Sequence, residues 1–546
     1  MAGVRARTGS LAVLAAVAAA AAGLGAYVAI PGSSGHLHRD TRPASPASAD
    51  PPHGGLLAAS VGGDAPPSLA VSAGPGGAVG PTLTVEVSDR TIGPAMRPGF
   101  LGLSLEYYTL ASYLGHDPAR IDPVFVGLVR GLNPGAAPIL RIGGNSTDHT
   151  WWPIPHMRVR RGVSFYLSQT WLALARALAS RSHGRLILGI NLGAGSRRLA
   201  AVEARHLVSG VGAQHIAALE IGNEPDDYPV IIWYRARGRP VYARSSSYGV
   251  ASYLRQFDSW RSVLPPVPVA GPALARTQWM PAALHTLLDS KRRVSIVTFH
   301  RYPLRACETD PLAGDYPTIP RLLSDASAAG LAARLAPFAA TAHAAGVTFR
   351  LDELNSVSCK GKFGVSNTFA SAVWVLDALF NLKAAGVDGV NIHMLPGSAY
   401  QAFSMSDRRG RWSAQVAPLY YGMLTFARAF PPGARLLRLS APSGAVKAWA
   451  TRSSHGRMQV VLINKNPDSP VTVRLALPGV PAPLTSQSLT APSVSATGGV
   501  SLGGETFGSS TSTGALPVNR HPAQVAAVQG YYSVTLPGGS ALLLTR

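Results

Sequence analysis

Two stretches decide the fold: Ile216-Ala-Ala-Leu-Glu-Ile-Gly-Asn-Glu-Pro-Asp226 and Val347-Thr-Phe-Arg-Leu-Asp-Glu353. Each is a short apolar run bounded by turn residues, and each follows a helical stretch that ends near a glycine, Gly210 or Gly346. Such runs read as buried parallel strands, because a strand covered on both faces needs no alternation of polar and apolar residues. Glu224 and Glu353 close these runs, so both carboxylates are expected at the mouth of the sheet. Working outward, further apolar runs at 99–106, 138–143, 185–191, 268–271, 294–300 and 389–393 alternate with amphipathic helical stretches. Together the eight runs predict an α/β fold of the (β/α)8 TIM-barrel type over 98–428. From 429 to 546 the pattern changes to alternating strands with Gly/Pro turns, which predicts a C-terminal antiparallel β-sandwich domain. The strand-like run at 81–96 has no partner ahead of the barrel and is assigned to the same sandwich.

The chain has 546 residues, but its beginning does not look foldable. Arg5 and Arg7 precede an apolar stretch over 11–30, so 1–30 reads as a signal peptide or an N-terminal membrane anchor. Residues 31–80 are rich in Pro, Ala, Gly and Ser and bury too little apolar surface to order themselves, which predicts a disordered linker. Either reading of the start puts the bulk of the protein outside the cytoplasm, secreted or membrane-anchored. The formal charge of +22 attracts polyanions, and arginines cluster at 158–161, 235–239 and 408–411. These clusters lie in apparent loops without a recognition helix or a stacking sheet, so acidic glycans or anionic surfaces are favoured over nucleic acid as partners. The only two cysteines, Cys307 and Cys359, are too few for a metal knuckle. They follow the sixth and seventh strands, whose loops are neighbours in a barrel, so one disulfide between them is expected.

No dinucleotide fingerprint, Walker loop, HExxH or Gly-x-Ser-x-Gly elbow is present, and the histidines are scattered, so neither a cofactor nor a metal is expected. The paired glutamates have a chemistry of their own. Cleaving a glycosidic bond requires one carboxyl group to protonate the leaving oxygen and a second to attack or stabilise the anomeric carbon.

Three motifs in order carry a more specific likeness: Arg141-Ile-Gly-Gly-Asn-Ser-Thr-Asp148, Gly222-Asn-Glu-Pro-Asp226 and Glu353-Leu-Asn-Ser-Val-Ser-Cys-Lys-Gly361. Together they resemble glycoside hydrolase family 79, the β-glucuronidase and heparanase-like family, which also appends a β-sandwich to its barrel. The resemblance runs from about residue 82 to the C-terminus. It implies Glu224 as general acid/base, Glu353 as nucleophile, and Asn223 as the ligand of the sugar hydroxyl next to the anomeric carbon. Glu106 and Asp148 match positions where the family binds distal sugar hydroxyls, and Tyr400 resembles a family tyrosine that faces the sugar. Tyr302 and Arg141 are the candidates to keep Glu353 ionised, while a neighbouring carboxylate is expected to raise Glu224. Where some bacterial members have a tyrosine that holds the uronate carboxylate, this chain has Ser358, Cys359 and Lys360, similar to the fungal-type members. Ser358 and Lys360 are therefore the candidates for that carboxylate. The implied activity is an exported, retaining exo-β-glucuronidase that releases terminal glucuronic acid, bare or 4-O-methylated, from a glycan without a cofactor. The alternatives are a heparanase-like endo-β-glucuronidase, an α-L-arabinofuranosidase of a related family, and a carbohydrate-binding protein that has lost catalysis. No feature bears on the oligomeric state.

Overall fold

The computed structural model describes residues 82–289, 293–440 and 444–546. The expected export segment at 1–30 and the linker at 31–80 lie outside them. Among the described residues no helix is long and apolar enough to cross a membrane.

Eight parallel strands close into a barrel: Leu101–Glu106, Ile139–Gly143, Arg185–Ile190, Ile216–Ile221, Val269–Leu274, Ile296–Arg301, Thr348–Leu354 and Gly389–Met394. They are called the first to eighth barrel strands below. The eighth returns to the first with Val390 opposite Leu101, and the fourth meets the fifth at Leu219 and Val269. Every residue of the first, fourth, fifth and eighth strands is buried, which is why these segments read as unbroken apolar runs. Several of the helices between them begin at side-chain caps. Asp122 accepts hydrogen bonds from the backbone N–H groups of Val124 and Phe125 at 2.7 and 3.2 Å, and Ser168 and Ser196 cap the helices Gln169–Ser182 and Arg197–Val211.

Three breaks in strand register interrupt the barrel, and the first two shape its catalytic end. In the fifth strand Ala273 is an extra residue with φ +53°, and its carbonyl accepts the backbone N–H of Glu224 at 2.9 Å. In the seventh strand Leu351 pairs with Phe299 and Glu353 with His300, which leaves Asp352 as the bulged residue. A regular strand sends neighbouring side chains to opposite faces; this bulge lets Asp352 and Glu353 both turn into the barrel. The third break lies between Leu186 and Ile187, opposite the fourth strand.

The interior is polar as well as apolar. Arg350 donates to Asn391 Oδ1 at 2.7 Å and to the carbonyl of Gly99 at 2.6 Å near the closed end, and Arg141 fills the open end. Both guanidiniums require a glycine beside them. A Cβ on Gly389 would lie 2.3 Å from Arg350 Cζ, and one on Gly143 would lie 2.8 Å from Arg141 Cζ.

The C-terminal strands form one continuous sheet that folds over a shared core. In hydrogen-bonded order its main strands are Leu484–Thr490, Ser540–Thr545, Met458–Asn464, Val446–Arg452, Arg435–Ser440, Thr82–Ile92, Val471–Ala476 and Tyr531–Leu536. All of these pairs are antiparallel except one: Thr82–Ile92 runs parallel to Val471–Ala476. Val85, Leu462, Val473 and Leu544 meet in the core. The strand Met458–Asn464 is buried on both faces, because Val460 and Leu462 point into this core while Val461 and Ile463 pack into the barrel's. Phe380 stacks on Trp449 at 5.3 Å, and buried Lys465 pairs with Asp377 at 2.8 Å, so barrel helix and sheet meet in an apolar seam closed by an ion pair.

Candidate active site

Glu353 enters from the seventh strand and Glu224 from the turn after the fourth. Glu224 is in the left-handed region (φ +47°, ψ +54°), a conformation that costs a non-glycine residue about 1–3 kcal/mol. Pro225 behind it and the Ala273 carbonyl hold it there. Its side chain stays 21% exposed, open to a ligand, while that of Glu353 is 10% exposed. Oxygens of the two carboxyl groups and a ring nitrogen of His300 lie within 4.8 Å of one another. His300 Nδ1 is 3.1 Å from Glu224 Oε1 and 4.0 Å from Glu353 Oε2.

Arg141 organises the floor. Its side chain is fully buried and donates to Glu353 Oε2 and Glu220 Oε2 at 2.7 Å, to Asn223 Oδ1 at 2.9 Å and to Ser104 Oγ at 3.2 Å. Tyr302 donates its hydroxyl to Glu353 Oε1 at 2.9 Å, so both oxygens of Glu353 are held. Its carboxyl is driven in opposite directions. Burial would raise its pKa, but the neighbouring His393, His300 and Arg141 together with the Tyr302 hydroxyl outweigh burial and hold it well below the usual carboxylate range. At neutral pH His300 adds no charge to this balance, since burial and Arg141 push it down to about 4. The Arg141 guanidinium is a charge that persists there at every working pH. Glu224 goes the other way: burial, then the negative charge of Glu353 and of Asp227, raise it well above the ordinary value. The sequence argument named the neighbouring carboxylate as the cause, whereas burial is the larger one. The result is a protonated carboxyl facing an ionised one.

The remaining expected residues divide into those that face the site and those that build it. Asn223 turns its carbonyl to Arg141 and donates from Nδ2 to Asn145 Oδ1 at 3.2 Å, beside Glu224. Tyr400 lies edge-on to His393 at 5.9 Å and 6.2 Å from the ring of Tyr302, which puts it on the wall next to Glu353. Asp148 departs from expectation. Its Oδ1 accepts the N–H groups of Leu192 and Gly193 at 2.9 and 2.7 Å, and its Oδ2 accepts Tyr228 Oη–H at 2.6 Å and Asn223 N–H at 3.2 Å. Four donors fill a carboxylate, so the contact with sugar hydroxyls expected of Asp148 is corrected: it ties three loops together behind Asn223. Glu106 is partly committed too, accepting from the N–H groups of Asn145 and Ser146 at 3.1 and 2.7 Å and from the Ser146 hydroxyl. Its Oε1 still faces His393 Nε2 at 3.7 Å.

Ser358 and Lys360 sit on the loop after the seventh strand, where Ser358 pairs with Arg305 of the preceding loop. Cys359, Lys360 and Gly361 have φ of +57°, +70° and +77°, and Gly361 packs against Tyr400. The disulfide between Cys307 and Cys359 forms, with Cα atoms 5.9 Å apart. It closes a sequence separation of 52 residues, so Cys307→Ser is expected to lower stability by about 3–4 kcal/mol in the chain-entropy model. Chemical denaturation with and without reductant measures this, and an unchanged midpoint on reduction refutes it.

Sequence reasoning missed His300, His393, Glu220, Asp352 and Tyr228. Alternation in the eighth strand, where Asn391 and His393 share one face, and the spacing His300-x-Tyr302 were the signals available for two of them. Nothing local marked Asp352, since its inward turn depends on the bulge.

A barrel with a protonated and an ionised carboxyl on the ends of its fourth and seventh strands is the arrangement of a glycoside hydrolase. Comparison with known proteins narrows the class. Residues 448–543 match the family model described as the Glycosyl hydrolase family 79 C-terminal beta domain. A β-glucuronidase of Aspergillus niger is 22% identical over 423 residues, covering 70% of this chain and 74% of its own. The structure of a 4-O-α-L-rhamnosyl-β-D-glucuronidase from Fusarium oxysporum, solved with Rha-GlcA, superposes with a TM-score of 0.66. It is 18% identical and covers 85% of this chain and 100% of its own. The family 51 arabinofuranosidase of Xanthomonas axonopodis pv. citri shares the fold at TM-score 0.58 and 14% identity, over 85% of this chain and 99% of its own. These matches support the likeness to glycoside hydrolase family 79 that the three motifs carry, and with it a glycosidase.

Proposed function

We propose that the protein is an exported, exo-acting, retaining β-glucuronidase that releases terminal glucuronic acid, bare or 4-O-methylated, from glycans. The observation that carries this reading is the contact between Glu224 and Glu353: oxygens within 4.8 Å, held in opposite protonation states. Retaining glycosidases hold their carboxyl groups about 5–5.5 Å apart, whereas inverting ones need about 6.5–9.5 Å to admit a water. Glu353 attacks the anomeric carbon while Glu224 gives its proton to the departing oxygen. Glu224, now ionised, then takes a proton from the water that cleaves the glycosyl ester. Asn223 is the partner of the 2-hydroxyl, where charge builds up next to the reacting carbon. Proton NMR of a hydrolysed aryl β-glucuronide is expected to give the β-anomer first; first appearance of the α-anomer refutes retention.

The glucuronidase names of the Aspergillus and Fusarium relatives support the substrate class. Within the chain, the loop 358–361 is the proposed host of the sugar carboxylate, through the Ser358 hydroxyl, backbone N–H groups or the Lys360 ammonium. Gly361 packed against Tyr400 supports this, since it sets the loop beside the wall that flanks the nucleophile. The parent enzyme is expected to favour an aryl β-glucuronide over the matching β-glucoside in kcat/KM, and Lys360→Ala to reduce that ratio. A parent that prefers the glucoside, or the α-L-arabinofuranoside, overturns the uronate assignment. An unchanged ratio in the variant leaves Ser358 and the backbone as hosts.

One observation favours the second reading, endo cleavage of an acidic glycan. The loop after the second strand carries Arg158, Arg160 and Arg161, and it packs at Gly162 against Trp233 and Tyr234 of the hairpin that carries Arg235, Arg237 and Arg239. All six arginines are exposed, and neither 149–168 nor 228–248 contains an acidic residue. Oligomeric products from an acidic polysaccharide, with kcat/KM falling steeply in salt, would select this reading; release of monosaccharide alone selects the first. Export is supported by the apolar stretch at 11–30 and by the disulfide.

A further inference from the structure

We propose that Glu220 and Asp352 hold a single proton between them on the floor of the site, and that this buried proton keeps His300 uncharged beneath Glu224. The inference rests on the roles given to Glu224 and Glu353 above and makes Glu220, Asp352 and His300 positioning residues for the acid. It begins with a count of charges. One guanidinium, Arg141, faces three carboxyl groups: Glu220 at 2.7 Å, Glu353 at 2.7 Å and Asp352 at 3.4 Å. The side chains of Glu220 and Asp352 are fully buried, and a carboxylate with neither water nor a cation of its own takes up a proton.

The geometry assigns that proton to the pair. Neither oxygen of Asp352 accepts a hydrogen bond from any N–H or hydroxyl group among the described residues, and neither does Glu220 Oε1. Atoms of Glu220, His300 and Asp352 lie within 4.8 Å of one another. A carboxylic acid donating to a carboxylate satisfies both groups at once. Arg141 is nearer to Glu220, which makes Glu220 the anion and Asp352 the acid; burial and the charge of Glu220 push Asp352 up, while burial at Glu220 is outweighed by Arg141 together with the hydrogen bond from Asp352, which pull it down. A metal ion does not fit this cluster, since the guanidinium already stands at hydrogen-bonding distance.

His300 carries the consequence upward. Its Nε2 lies 3.5 Å from Asp352 Oδ1 and its Nδ1 3.1 Å from Glu224 Oε1. An ionised Asp352 would draw a proton onto Nε2, and the resulting imidazolium would favour the ionised form of Glu224 before any leaving group arrived. A protonated Asp352 leaves the ring neutral and the Glu224 proton in place. The other charged or titratable groups that face the cluster include Arg141 from the second strand, Tyr107 after the first, Asp226 from the turn after the fourth, Tyr253 from the helix Val250–Arg261, and Arg350 and Glu353 from the seventh. The bulge is what brings Asp352 into this company.

The alkaline limb of kcat/KM against pH tests the idea in a double-mutant cycle. Asp352→Asn replaces the neutral acid by its neutral isostere, so the limb is expected within about 0.3 pH units of the parent, whatever the absolute rate. Glu220→Gln removes the anion next to Arg141; Asp352 then ionises as its partner, His300 gains a proton, and the limb falls by about one pH unit or more. Adding Asp352→Asn to Glu220→Gln returns the limb to the parent position, a rescue that a merely structural role does not produce. An Asp352→Asn limb that falls as far as that of Glu220→Gln, or a Glu220→Gln limb that stays put, overturns the proposal. A second measurement does not need turnover: nitrogen NMR of isotope-labelled histidine, with His300 assigned by its loss in His300→Asn. A neutral ring throughout about pH 5 to 8 is expected, and a cationic one in that range refutes the shared proton. This readout stands even if the glucuronidase reading fails.

Discussion

Glu353→Ala is expected to lower turnover of aryl β-glucuronides by about 10⁴-fold or more, because no second group in the site can form the glycosyl ester. Glu224→Ala behaves differently. It slows substrates with basic leaving groups by about 10² to 10⁴-fold and activated aryl substrates far less, since acid assistance matters only where the departing oxygen needs the proton. The pH profile carries the same information. The proposed roles require Glu353 ionised and Glu224 protonated; the first is held low and the second high, so a broad plateau is expected between an acid limb set by Glu353 and an alkaline limb set by Glu224. Glu224→Ala loses the alkaline limb. Equal losses across leaving groups in that variant would remove Glu224 from the acid role.

Arg141→Met is the second large effect, and it acts on stability and chemistry together. The substitution keeps a long side chain but leaves Glu220, Asp352 and Glu353 in the barrel floor with their shared cation gone. Breaking a buried pair from one side costs about 3–5 kcal/mol, read as a fall in the denaturant midpoint. In the parent, the lowered pKa of Glu353 gives stability that is present above the unfolded carboxyl value of about 4.3 and is lost only as pH falls toward the lower folded value. In the variant the carboxyl is raised instead, so the sign reverses and stability falls as pH rises above that unfolded value. The acid limb of activity moves upward with it. A variant with the parent's midpoint and the parent's acid limb would show that Arg141 is not the charge that holds Glu353.

Much of the architecture was legible because it rests on short-range patterns. The barrel strands were readable as apolar runs since both faces of each are covered, and their ends differ from expectation by a few residues, most at the fourth, which stops at Ile221 short of Glu224, and at the fifth, which runs on to Leu274. Thr82–Ile92 stood out because its alternating Val85 and Val87 had nothing to pair with nearby; it lies in the C-terminal sheet. That sheet was read as antiparallel throughout, and the parallel pairing of Thr82–Ile92 with Val471–Ala476 escaped, because pairing direction is set by where the chain comes from.

The sequence by itself determined which groups carry charge and which can donate or accept a proton: two glutamates at strand ends, an arginine within the second apolar run, a tyrosine after the sixth, and two cysteines on neighbouring loops. It could not determine what each meets. Asp148 and Glu106 look alike as loop acids, yet one is filled by four donors and the other still turns an oxygen toward His393. Asp352 and Glu353 are neighbours that a regular strand would send to opposite faces, and only the bulge against Phe299 and His300 turns both inward. The tertiary structure decided protonation for the same reason. A carboxyl's pKa depends on the water it has lost and the charges it has gained, and both are supplied by residues far away in the chain: Arg141 and His300 reach Glu353 and Glu224 only because the barrel closes.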